Sequence, residues 1–176
     1  MSKEIPTITD RAQFLSVELR GHHLLCILTY VGMGYPQPED FVPNYDTIMA
    51  RLNQGAKIKI VSGPDDICTT LVRAGEVVCA HARVCTGDKV KNSDALALQE
   101  VASVLNLPSL KPGDIITLAA SDIQKSRTAF AANTNRGACQ RCLWKNACTE
   151  IAESGFQGVR LLPSAVPGCP PSPLLL

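Results

Sequence analysis

Three cysteines fall within ten residues, Cys139, Cys142 and Cys148. The first two form a C-x-x-C pair, and the chain's only tryptophan, Trp144, follows the second. Two intervening residues let a tight turn bring both sulfurs to one side, as a shared metal or cluster requires. A short helix starting near Trp144 would carry Cys148 back to the same point. That makes three quarters of a four-thiolate site. Five cysteines compete for the fourth place: Cys26, Cys68, Cys79, Cys85 and Cys169. Eight thiolates also suffice for two centres. Order along the chain divides them most simply into Cys26, Cys68, Cys79 and Cys85 against Cys139, Cys142, Cys148 and Cys169. The rival is one centre on Cys139, Cys142 and Cys148, completed by Cys26 or Cys68. Cys169 precedes Pro170, as the remote ligand of bacterial ferredoxins precedes a proline.

Iron–sulfur is the favoured content, one or two clusters of the [4Fe–4S] type, with zinc as the alternative. A thiolate-bound cluster carries net negative charge, and Arg136, Arg141 and Lys145 surround the motif to offset it. Leu143 and Trp144 are expected to shield it from water. Zinc ribbons usually show two C-x-x-C knuckles, and this chain has one. Histidines offer weaker candidates. On a helix His22 lies four residues before Cys26 and His23 three, so each shares or nearly shares its face. The plainer reading is that both hydrogen-bond near a helix start while Cys26 packs. His81, between Cys79 and Cys85, is a spare ligand or, more simply, an exposed residue.

These residues need elements to carry them. Val17–Arg20 reads as a short strand and His22–Val31 as a buried helix ended at Gly32. Glu39–Asn53 has apolar residues near the helical period, with Pro43 in its first turn. Lys57–Val61 alternates charge and apolar, so it reads as a half-buried strand. Ser62 or Gly63 would cap a helix beginning at Pro64, with Asp65 and Asp66 at its positive end and Cys68 held as a thiolate by the same dipole. That helix start explains the paired aspartates better than acid/base chemistry does. Further helices are expected from Asn92 to about Leu105, from Ser121 to about Ala132 and from about Leu143 to Ser154, with a strand at Ile115–Leu118.

The whole is expected to be α+β: a compact, mainly helical single domain with a small sheet and cysteine-ligated metal centres. Residues 1–15 read as a flexible arm, 16–158 as the metal-binding domain and 159–176 as a proline-rich tail. Hydrophobic residues make up 45% of the 176 and aromatics 5%, so the core is aliphatic. A formal net charge of +1 argues against broad binding to nucleic acid or acidic membranes. The first ten residues are polar and lack the apolar run of a secretory signal. The apolar stretch Leu24–Met33 is too short to span a bilayer. A cytoplasmic location follows, where thiols stay reduced and serve as ligands.

Arg20-Gly-His-His-Leu-Leu-Cys26, Gly32-Met-Gly-Tyr35, Phe41-Val42, Asp65-Asp-Ile-Cys68 and Cys139-x-x-Cys142-x-Trp144 together resemble an uncharacterised bacterial family of small cysteine-rich proteins. That family is a domain of unknown function, often labelled iron–sulfur-binding. The resemblance covers roughly residues 17–150. It departs after Cys68, where family members carry another cysteine and this chain has Thr69-Thr70-Leu71. The resemblance implies cluster binding and supplies no activity. The functional expectation is a small electron-transfer protein with a redox partner. A zinc-stabilised binding module is the first alternative. An enzyme using an open metal position is the second, and it is disfavoured because the chain has no phosphate-binding loop and no nucleophile–base signature.

Overall fold

The plainest alternation in the chain makes the middle strand of the sheet. In the computed structural model, which describes residues 16–32, 39–71 and 87–163, Lys57–Ile60 forms β2, with Ile58 and Ile60 buried and both lysines exposed. The strand β1, Ser16–Leu19, lies parallel beside it, with Val17 opposite Ile58 and Leu19 opposite Ile60. On the other edge β3, Ile115–Ile116, pairs antiparallel, with Ile116 opposite Ile58. The order is β1-β2-β3.

Parallel neighbours need a crossover. It contains α1, His23–Cys26, and α2, Phe41–Asn53. One face of α2 buries Phe41, Tyr45, Ile48, Met49 and Leu52, the stripe that its sequence spacing predicts. Three more helices follow: α3, Asp88–Val104; α4, Ala120–Ala131; and α5, Lys145–Glu153. Among the described residues the architecture is therefore α+β, five helices with a three-stranded sheet. Val17, Leu19, Ile58 and Ile60 join Leu25, Ile27 and Leu28, the stripe of α2, Ala97, Leu98 and Val101 of α3, and Phe130 of α4 in one core. No helix among the described residues is long and apolar enough to cross a membrane.

Two local expectations fail, each for a physical reason. The helix expected over His22–Val31 is regular only through Cys26. Beyond Ile27 the hydrogen bonds tighten to the third residue back, Leu28 to Leu25 and Thr29 to Cys26, as final turns often do. The segment Ser62–Cys68 does not start a helix at Pro64. Asp65 caps a 3-10 turn, Asp66–Thr70, by accepting the N–H groups of Ile67 and Cys68 at 3.1 and 3.2 Å. A carboxylate beside two free N–H groups outcompetes Ser62 or Gly63 for the cap. A smaller shift lengthens α3, which begins at Asp88 rather than Asn92.

Residues 159–163 follow α5 and are pinned to the domain. Val159 and Leu161 are buried. The Arg160 N–H donates to the Tyr30 carbonyl at 2.7 Å, and Asn53 bonds both the Arg160 carbonyl and the Leu162 N–H. Arg127 donates to the Leu161 carbonyl at 2.6 Å.

Candidate metal centre

The C-x-x-C turn is closed by a bond from the Cys142 N–H to the Cys139 carbonyl, 3.0 Å. Cys139 ends a one-turn 3-10 segment, Gly137–Cys139, that lies against α3. The Gly137 N–H reaches both oxygens of Glu100 on α3 at 3.1 Å each. Trp144 caps α5, and its carbonyl accepts the Cys148 N–H at 2.8 Å. Arg136 binds this unit together from beneath. Its guanidinium donates to the Thr149 hydroxyl and the Lys145 carbonyl, both at 3.0 Å, and lies 4.3 Å over the Phe130 ring.

The fourth thiol comes from the other end of the domain. Thr29, just after α1, donates its hydroxyl to the Cys148 sulfur at 3.3 Å and to the Cys26 carbonyl at 3.4 Å. Burial pushes the Cys26 thiol well up, and the neighbouring Cys142, Cys139 and Cys148 push it further. Burial also lifts Cys139 to about 11, with Cys142 adding to it and Arg136 opposing. Cys148 rises by burial too, against the Thr29 hydrogen bond. Four thiols from segments far apart in sequence therefore act on one another. Cys26 thus feels Cys142, Cys139 and Cys148, the neighbours named in the single-centre alternative.

The donors around these sulfurs fit a thiolate-bound group. The Tyr45 hydroxyl is buried without a hydrogen-bond partner, and the thiol charges it feels are those of Cys26 first and Cys148. The Arg136 Nε is likewise buried and unpartnered. Both can donate to sulfur. The expected shield is half present. Trp144 is partly buried, whereas Leu143 is 71% exposed and shields nothing.

Cys68 occupies a different place. It is buried beside Asp65 and His23. Burial and the Asp65 charge drive its thiol strongly up, the opposite direction to the expected dipole stabilisation. The Asp65 Oδ2 accepts the Arg20 N–H at 2.8 Å and pairs with the His23 Nδ1 at 2.7 Å. A parallel arrangement stands next to it. The His22 Nδ1 pairs with Asp94 at 2.7 Å, and the Arg20 guanidinium meets the same carboxylate at 2.7 Å. Burial pushes the Asp94 carboxyl up, but the His22 and Arg20 bonds outweigh it and hold it at about 2. Burial and the His23 charge lower His22. Both histidines thus commit Nδ1 to a carboxylate, the hydrogen bonding expected near a helix start. Cys79, His81, Cys85 and Cys169 lie outside the described residues.

The family described as "Protein of unknown function (DUF1284)" matches residues 34–148. The chain belongs to this family. The matched region takes in Cys68, Cys139, Cys142 and Cys148, and it begins after Cys26. No curated protein and no solved structure matches the chain.

Sequence reasoning missed the carboxylate of Asp94. A signal was present: Asp94 stands at the head of the buried stripe Ala97, Leu98 and Val101 of α3, where an acid needs a buried partner. It also missed Tyr45, whose spacing on α2 marks only a core position.

Proposed function

We propose that this protein is an iron–sulfur protein that holds a [4Fe–4S] cluster on Cys26, Cys139, Cys142 and Cys148 and exchanges electrons with a partner protein in the cytoplasm. The observation that carries the reading is the meeting of four thiols from two ends of the domain. The single C-x-x-C knuckle, where zinc ribbons usually show two, favours a cluster over zinc. When bound, the cluster supplies one-electron chemistry over a potential range set by its surroundings. The chain's own residues set those surroundings. Arg136 places a buried positive charge beside Cys139 and Cys148. Thr29 donates to the Cys148 sulfur, and the Tyr45 hydroxyl supplies a further donor. Each favours added negative charge at the centre, and so the reduced state. The exposed Leu143, flanked by Arg141 and Trp144, offers the partner an apolar contact one residue from a ligand.

The test is an absorption spectrum of anaerobically purified protein, with iron and sulfide analysis. A brown protein, bleached by dithionite, with four irons per chain is expected, and Cys26→Ser and Cys142→Ser should each abolish the colour. A colourless protein with stoichiometric zinc, or a brown one unaffected by Cys26→Ser, overturns the reading.

A further inference from the structure

We propose that His23, Asp65 and Cys68 form a second metal site, separate from the four-thiol centre, for a single divalent ion of the zinc class. One ligand atom from each residue lies within 4.8 Å of the other two, the one such trio among the described residues. Nitrogen, carboxylate and thiolate together are the donor set of zinc. The three come from separate places that the fold fixes. His23 opens α1, Asp65 caps the 3-10 turn after β2, and Cys68 lies in that turn.

Capping accounts for only part of this trio. The cap uses the Asp65 Oδ1, which accepts from Ile67 and Cys68. The second oxygen is turned to the Arg20 N–H and to His23. A cap requires neither an imidazole there nor a thiol beside it. Charge gives the second argument. The Arg20 guanidinium pairs with Asp94, and its charge also reaches Asp65 and Cys68, while the Asp65 carboxylate, its side chain wholly buried, faces His23 and a thiol. Deprotonating that thiol beside a buried carboxylate is unfavourable until a divalent cation joins them. A divalent ion held by the Asp65 carboxylate, the Cys68 thiolate and a neutral His23 sums to zero.

The proton balance is simple. The Cys68 S–H loses its proton to solvent as the S–metal bond forms. His23 ligates through a neutral nitrogen, so one proton leaves per ion bound. Three protein ligands leave a fourth position for water or another donor, the arrangement of reactive rather than purely structural zinc sites.

Cobalt(II) is the probe, because a thiolate bound to it gives a charge-transfer band. Full-length protein would be tested with its four-thiol centre filled, alongside Cys68→Ala and Cys142→Ser. The filled wild type should take up one further equivalent of cobalt or zinc, with a band of single-thiolate intensity. Cys68→Ala should lose that equivalent while keeping the brown centre, and Cys142→Ser should lose the centre while keeping the band. The proposal is overturned if the filled wild type takes up no second class of ion, whatever the variants do. Equal uptake by Cys68→Ala also overturns it. The cobalt readout does not depend on the cluster, so either assignment can fail alone.

Discussion

Asp94 carries two partners that cannot do without it. Arg20 is 1% exposed, and its charge is met at 2.7 Å by this carboxylate. Removing one member of a buried pair leaves the other uncompensated, at a cost of about 3–5 kcal/mol. Asp94→Asn should therefore lower the urea midpoint by that order, and a change below ~1 kcal/mol would sink the assignment. The pH dependence follows from the sign of the shift. Asp94 falls from an ordinary 3.8 to about 2 in the folded protein. Its contribution is complete above the unfolded value and is lost as pH falls through the folded one. Stability should drop by about 2 kcal/mol between pH ~4 and ~2 from this group alone, and Asp94→Asn should flatten that limb in urea titrations. A second residue-scale expectation concerns Tyr45. Tyr45→Phe removes the buried hydroxyl and keeps the ring stacked on Tyr30 at 3.7 Å. In the iron–sulfur reading this shifts the midpoint potential to more negative values without loss of iron. An unchanged potential in a redox titration would show that the hydroxyl does not reach the centre.

The pieces of structure differ in how much of them could be read from sequence. The elements β1, α2 and β2 were legible because their periodicity matches the burial they achieve, as in Lys57–Ile60. The turn at Asp65 was not. Its shape is decided by contacts with Arg20 and His23, some 45 and 42 residues away, and no local pattern encodes those. The pairing of Cys26 with Cys139, Cys142 and Cys148 was open for the same reason. The spacing groups three sulfurs, and the approach of Cys26 to them depends on how the segment after α1 meets Cys148 through Thr29. Gly21 belongs to this scale as well. A Cβ there would collide with the backbone carbonyl of Asp94, so the glycine of Arg20-Gly21-His22-His23 is the point where the turn before α1 meets the main chain of α3. Overpacking costs about 1–3 kcal/mol when side chains can yield, and more when only backbone can. Gly21→Ala should lower the thermal midpoint strongly and weaken both His–Asp pairs. A melting temperature within a degree or two of wild type would rule out the close approach.

Across the whole molecule, in the iron–sulfur reading, the four-thiol centre closes a loop of roughly 110 residues between Cys26 and Cys139. A cross-link of that span removes about 4–5 kcal/mol of unfolded-state entropy. Stripping the centre with a chelator should lower stability by that order in urea unfolding. Limited proteolysis should then release the region around α5, which the Thr29–Cys148 hydrogen bond ties to the segment after α1. Equal stability with and without metal would mean that the apolar core alone holds the two ends together.

The pinned segment after α5 has a consequence for how the chain is made. The Tyr30 carbonyl, four residues beyond Cys26, accepts the Arg160 N–H. Leu161 fills a buried place beside Arg127. In the iron–sulfur reading the ligand set is complete only once Cys148 has been made, so the cluster enters late in synthesis or after it, into a chain whose first ligand emerged roughly 120 residues earlier.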